Sequence, residues 1–269
     1  MRRCGLTADG HSTDVLGRVV EVVSGISLPE FFQREMFTPL GMNDTGFGLP
    51  RGGEAKLADL WYRCGNPVAE VRTTDVSAAT QATGEHVLGE VTVPSGGGGL
   101  LSTTTDYFRF CQMVLDGGLG LSPDGTAPRP RLLSRKGVEW MAMNHLMDGL
   151  DMAALALPGY TEVSGPGQGF GLGLSVSLDP VASRENVSPG TVGWGGLAST
   201  LFYIDPLEQL VVIFMTQIIG KVLVLGRSPK RAPRNIMQGN DGHRRGGGGG
   251  GGGCVCVCEG GREGEGRVR

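Results

Sequence analysis

The sequence predicts an α+β fold: helices first, an antiparallel sheet after them, then a glycine-rich tail that adds nothing to the core. Three observations carry this. Apolar residues recur at helical spacing from Asp14 to Ser24, and further helical segments follow at 28–37, 104–115 and 133–145. From Gly169 the period changes to two, and apolar runs follow at 200–204 and 210–216. Beyond residue 217 the ordered pattern ends. The chain thus divides into an irregular start at 1–12, an organised body at 13–217 and an irregular to disordered tail at 218–269.

The first helix is capped by Thr13 or Asp14, presents Val15, Leu16, Val19, Val20, Val22 and Val23 as a face to be buried, and closes at Gly25. Ser27-Leu28-Pro29-Glu30 is a capping box with proline in the first turn, and starts a second helix through about Phe37. Thr38-Pro39-Leu40-Gly41-Met42 turns the chain. Residues 50–93 are less regular, with a short strand at 91–93. The glycine-rich Pro94–Leu100 then leads to a helix over 104–115, capped at Ser102 and stopped by Gly117-Gly118. Another helix runs over 133–145 with Ser134 as its cap. Gly169–Leu178 is a strand carrying Phe170, Leu172, Leu174, Val176 and Leu178 on one face. With the runs at 200–204 and 210–216, joined by residues 205–209, it predicts an antiparallel meander.

Composition excludes several classes. The 269 residues hold 24 basic and 27 acidic side chains, a net charge of −3, so no basic surplus attracts nucleic acid or an anionic membrane. The longest apolar run, 210–225, is broken by Thr216, Gln217, Gly220 and Lys221, and is shorter than the roughly 20 residues a membrane span needs. No apolar stretch follows Arg2-Arg3, so no signal peptide and a cytoplasmic location are expected. The six cysteines (Cys4, Cys64, Cys111, Cys254, Cys256, Cys258) do not form a disulfide framework. Three of them alternate with valine after eight glycines, without the C-x-x-C-like spacing of a structural zinc site. This tail reads as translated simple-repeat DNA, and disorder is expected because glycine runs cannot offset their conformational entropy.

Familiar catalytic spacings are missing. There is no H-E-x-x-H, no G-x-S-x-G and no P-loop, and His11, His86, His145 and His243 are dispersed. No metal and no cofactor are expected. Ser95 beside Gly96–Gly99 is a turn residue rather than a nucleophile, and Asp14 a cap or structural carboxylate. Trp61, Tyr107 and Trp140 are core or groove-wall residues. Lys56 and Lys136 have no serine at the offset that nucleophile activation requires.

Several stretches together resemble the serine β-lactamase and penicillin-binding-protein superfamily, in particular its β-lactamase-related, family VIII esterase-like branch. They are DVLGRVVEVVSG at 14–25, FFQREMFTPLGMNDTGF at 31–47, PSGGGGLLSTTTDYFRFCQMVLDGG at 94–118, GFGLGLSVSLDP at 169–180, GWGG at 193–196 and FYIDPLEQLVVIFMTQ at 202–217. The resemblance implies a partial β-lactamase-like fold. It also implies hydrolysis of a small ester, amide or lactam through an acyl-enzyme, with a Ser-x-x-Lys nucleophile and a tyrosine sharing the base work. Neither Ser-x-x-Lys nor Tyr-x-Asn occurs in the sequence. No catalytic residue is therefore assigned, and the chain is expected to be inactive, the middle of a larger hydrolase with foreign ends.

The third element of the family, Trp-Gly-Gly in esterase-like members, is Trp194-Gly195-Gly196, and the resemblance gives Leu197 the oxyanion N–H. These four residues are the expected substrate-binding site. The plainer reading of Gly195-Gly196 is a strand pair that lets backbone approach closely. An alternative function is a non-catalytic binding or scaffold protein that keeps the groove. No feature of the sequence fixes an oligomeric state.

Overall fold

The computed structural model describes residues 12–49, 57–58, 60–64, 69–73, 94–122, 126, 128–155, 166–196, 198–219 and 254–259; of residues 60–64, 69–73, 218–219 and 254–259 only the backbone is described. The chain forms two compact units, divided between Ser134 and Arg135. The expected strand at 91–93 and the irregular first eleven residues lie outside the described residues, as do 220–253 and 260–269 of the tail. No helix among the described residues is long and apolar enough to cross a membrane.

The first unit opens with α1 (Ser12–Ser24), which ends where Gly25 turns left-handed at φ 74° and donates to Glu21 O. The expected buried apolar face is not realised. The buried residue of α1 is Gly17, while Val15, Leu16, Val19, Val22 and Val23 are all exposed. The helix approaches its neighbours through its smallest residue: a Cβ on Gly17 would stand 2.8 Å from Leu28 Cδ2. At about 100° per residue the valine stripe then falls on the opposite side.

The Ser27 hydroxyl caps α2 (Leu28–Phe32) by accepting from Glu30 N, as the capping box requires. The helix does not run on as α-helix to Phe37. Gln33–Phe37 is a π turn, followed by α3 (Thr38–Leu40), which Gly41 ends at φ 68°. Leu28, Phe37, Leu40 and Met42 are buried, as are Cys111, Met113 and Val114 of α4 (Thr104–Leu115). The limits of α4 match the sequence reading, but its cap is Thr103, whose hydroxyl accepts from Asp106 N, and not Ser102. The Ser102 hydroxyl instead meets that of Thr45 at 2.8 Å. Two short pairs complete the unit: β1 (Gly46–Phe47) with β4 (Leu100–Leu101), and β2 (Leu60–Cys64) with β3 (Ala69–Thr73), both antiparallel.

The second unit opens with α5 (Arg135–Met141), shorter at both ends than the expected 133–145. It stops where Met141 O turns out of the helix to accept from Leu172 N at 3.0 Å. After α6 (Met152–Leu155) comes an antiparallel sheet of β5 (Gln168–Phe170), β6 (Ser175–Ser177), β7 (Val192–Gly195), β8 (Leu201–Asp205) and β9 (Leu210–Met215). These strands neighbour one another in chain order, so the expected meander is present. The expected single strand over 169–178 is a hairpin. Gly173 adopts φ 85°, and Gly171 N donates to Leu174 O to close the turn.

Between β6 and β7, Asp179 caps the one-turn α7 (Pro180–Ser183) by accepting from Val181 N and Ala182 N. Leu174, Val176, Val192, Phe202, Ile204, Val211 and Ile213 form the buried side of the sheet. Past β10 (Ile218–Ile219), β11 (Cys254–Glu259) pairs antiparallel with β9, Cys254 opposite Met215 and Glu259 opposite Leu210. These residues belong to the tail for which disorder is expected. Their alternating valines are β-branched, and β9 presents an edge with unused backbone groups.

Candidate functional site

Trp194 and Gly195 end β7, the strand between β6 and β8, and Gly196 begins the turn into β8. Trp194 lies opposite Phe202 and Gly195 opposite Leu201. The strand passes from buried Val192 and Gly193, through half-buried Trp194, to exposed Gly195 and Gly196. The end of the strand is therefore exposed.

The glycines of this strand are not equivalent. A Cβ on Gly193 would stand 2.3 Å from Phe202 O, so close backbone approach demands glycine there. On Gly195 the nearest atom would be Thr200 O at 3.5 Å, an ordinary contact. On Gly196 it would be Thr200 Oγ1 at 2.4 Å, the end of a side chain that can turn away. The close-approach reading thus belongs to Gly193, which sequence reasoning did not single out, and not to Gly195.

The turn after the glycines is fixed by hydrogen bonds. Gly196 N donates to Thr200 O at 2.8 Å, and Ser199 N, at φ 62°, donates to Gly196 O at 2.9 Å. Thr216 Oγ1 donates to Ala198 O at 3.0 Å. The N–H of Gly196 is thereby occupied and cannot serve an oxyanion. Leu197, expected to supply that N–H, lies outside the described residues.

Trp194 has an aromatic partner that sequence reasoning placed on a strand face without linking the two. The Phe170 ring meets Trp194 edge-to-face, centroids 5.0 Å apart and planes at 68°. Phe170 is held at both backbone groups: its N–H donates to Asn144 Oδ1 at 3.1 Å and its carbonyl accepts from His145 N at 2.8 Å. Asn144 also accepts from Leu146 N and donates to Leu150 O, so one amide fixes the loop after α5 against β5. A Cβ on Gly171 would stand 2.0 Å from Met141 O, which explains the glycine at the hairpin turn.

His145 stacks edge-on to Trp140 at 4.9 Å, and its Nε2 lies 2.7 Å from Trp140 O. A carbonyl only accepts, so Nε2 carries the proton. Trp140 itself is 58% exposed and not a core residue.

Other sequence candidates take structural places. In the first unit Ser95 Oγ donates to Asp14 Oδ1 at 2.7 Å and accepts from Gly97 N and Gly98 N, which is the expected turn role. Asp14 also accepts from Gly97 N at 3.1 Å. Burial pushes the Tyr107 phenol above its ordinary range. Lys136 pairs with Glu139 at the surface. In the second unit burial works against the Asp205 charge, yet the N–H groups of Glu208 and Ser188 hold its pKa below the usual carboxylate range. That carboxylate ties the β8–β9 turn. Among the described residues no group of three His, Cys, Asp or Glu side chains is placed to hold a metal ion.

A family model described as Beta-lactamase matches residues 9–222. An uncharacterized protein of Mycobacterium tuberculosis is 32% identical over 214 residues, covering 77% of this chain and 47% of that protein. Esterase EstB of Burkholderia gladioli is 28% identical over 212 residues, covering 76% of this chain and 47% of the esterase. The chain thus spans about half the length of the curated relatives it matches. In fold it is similar to the simvastatin synthase LovD of Aspergillus terreus, with TM-score 0.60 and 23% identity over 76% of this chain and 48% of that one.

Proposed function

The chain belongs to the beta-lactamase family, and from that premise we propose that it carries the substrate-groove part of a hydrolase for small esters, amides or lactams, without the nucleophile. One observation supports this most. The Trp194-Gly195-Gly196 segment ends an internal sheet strand at an exposed turn, braced by the Phe170 ring, while the sequence contains no Ser-x-x-Lys. In this reading Trp194 and Phe170 form an apolar wall for the acyl or lactam portion of a ligand. The family pattern gives the oxyanion N–H to Leu197, and this reading keeps that assignment.

A hydroxyl is a weak nucleophile without an adjacent base. Ser95, whose hydroxyl lies on the Asp14 carboxylate, spends its oxygen on the turn formed by Gly97 and Gly98. The chain is accordingly a ligand-binding, non-hydrolytic member. The esterase among its relatives favours an ester as the ligand.

The test uses the purified chain with a p-nitrophenyl ester and a chromogenic cephalosporin, and follows tryptophan emission with an unreactive ester analogue. We expect no turnover above buffer and a saturable quench lost in Trp194→Phe. Turnover above background overturns the non-hydrolytic reading. A quench that persists in Trp194→Phe overturns the groove.

A further inference from the structure

Away from Trp194, β5, β6, β7 and the loop after α7 enclose a small cavity. Gln168, Ser175, Ser177, Glu185, Thr191 and Tyr203 supply its polar wall, and the space leaves about 10 Å³ for the centre of a water-sized occupant. Three oxygens here are buried with no hydrogen bond of ordinary geometry: Ser177 Oγ, Thr191 Oγ1, whose hydroxyl faces the Asp205 carboxylate, and Glu185 Oε1, whose carboxyl faces the Ser183 hydroxyl. Ser177 is 3% and Thr191 4% exposed, so bulk solvent does not satisfy them. Other groups of the wall are engaged. Ser175 Oγ donates to Gly193 O at 2.7 Å, and Gln168 Nε2 donates to Glu185 Oε2. Buried polar groups are rarely left unpaired, because desolvation removes their water partners without replacement.

We propose that this cavity binds one ordered water molecule, which hydrogen-bonds Glu185 Oε1 and bridges the hydroxyls of Ser177 and Thr191. The space matches a single water, which needs about 10–15 Å³ by this measure and two to four polar partners. The donor and acceptor count also matches. A carboxylate oxygen only accepts, each hydroxyl donates and accepts, and water supplies two donors and two lone pairs. A cation fits less well, since the one carboxylate present already receives the Gln168 amide N–H. The water links β6, through Ser177, to the start of β7, through Thr191. Trp194 follows in the same strand.

Glu185 and Tyr203 are the titratable groups of the wall. Burial raises the Glu185 pKa, and burial with the nearby Glu185 pushes Tyr203 up to about 12. Folded Glu185 therefore keeps its proton to higher pH than the unfolded chain does. The stability it contributes is complete below its unfolded pKa and is lost as pH rises through the folded one. Asp205, near Thr191, shifts the opposite way and remains charged throughout that window.

The test combines a high-resolution crystal structure of the full chain with thermal unfolding in sodium, potassium and choline chloride at pH 5 and pH 8. We expect one density peak about 2.6–3.2 Å from the three oxygens. The Tm should be indifferent to cation identity and lower at pH 8, with the pH difference reduced in Glu185→Gln. Thr191→Val should lower Tm by a few degrees and lose the peak. An empty cavity overturns the proposal, as does a Tm that follows cation identity, which would assign the site to a metal ion. The wild-type measurements decide the question even where a variant fails to fold.

Discussion

Gly193→Ala and Gly195→Ala place the same methyl group two residues apart on one strand, with opposite outcomes expected. At Gly193 the new carbon would lie 2.3 Å from Phe202 O and 3.2 Å from Tyr203 Cδ1, against a practical floor of 3.0 Å. The first obstacle is backbone, so β7 and β8 must part by about 0.7 Å where their hydrogen bonds are made. Overpacking of this kind costs about 1–3 kcal/mol. Alanine returns about 0.4–1 kcal/mol by restricting the unfolded chain. The net loss is about 1–2 kcal/mol, enough to displace a urea midpoint by a measurable fraction of a molar unit. At Gly195 the nearest atom is 3.5 Å away, so only the favourable term remains and stability should hold or rise by up to about 1 kcal/mol. Urea unfolding followed by tryptophan emission and far-ultraviolet circular dichroism measures both. A Gly193→Ala variant as stable as the wild type, or less affected than Gly195→Ala, would refute the reading of β7 as a strand held in contact by a missing side chain.

Further outcomes follow from single contacts. Asp205 Oδ1 accepts from Leu207 N and Glu208 N, and Oδ2 from Ser188 N, so Asp205→Asn should cost about 2–3 kcal/mol at pH 7. Its lowered pKa makes this contribution complete above about pH 4, lost as pH falls through the folded pKa. A gap between wild type and variant that stays constant down to pH 2 would sink that account. Phe170→Ala removes the edge partner of Trp194 and should cost about 1–3 kcal/mol, with a changed tryptophan band in near-ultraviolet circular dichroism. An unaltered band would mean the ring pair does not form. Thr103→Ala should lower stability by about 1 kcal/mol as the cap of α4, and a loss seen only for Ser102→Ala would return the cap to the earlier residue.

Much of the fold is legible in the sequence because local chemistry and tertiary structure agree there. The 104–115 helix has a polar cap, a periodic interior and a glycine pair beyond it, and the structure keeps all three. The cap slipped by one because Ser102-Thr103-Thr104-Thr105 offers four near-identical oxygens, and the choice depends on Thr45, far off in the chain. The hairpin at 168–177 looks like one strand in the sequence because alternation cannot tell a continuous strand from two strands folded at glycines. Gly171 and Gly173 were the available signal. The exposed valines of α1 were illegible in another sense. Their spacing states that they need a partner, not where that partner lies. At the end of β7 Trp194 and its glycines are visible as a motif. Phe170 is not, since a ring contact across the intervening strand β6 leaves no trace in residue spacing.

The π turn at Gln33–Phe37 bears on which insertions and deletions this chain can carry. In an ideal α-helix, residues five apart point about 140° away from each other. Here Thr38 N reaches back to Gln33 O and Met42 N to Phe37 O, and the wider winding brings the rings of Phe32 and Phe37 within 5.8 Å. Phe32 also stacks on Phe47 at 5.8 Å. The surplus residue is thus a spacer that sets the phase between two anchors. Deleting one residue from 33–36 would restore regular winding yet swing Phe32 and everything before it out of phase with Phe37. A surface loop tolerates a lost codon readily. This segment should instead tolerate substitution at exposed Arg34 or Glu35 while rejecting any change in length.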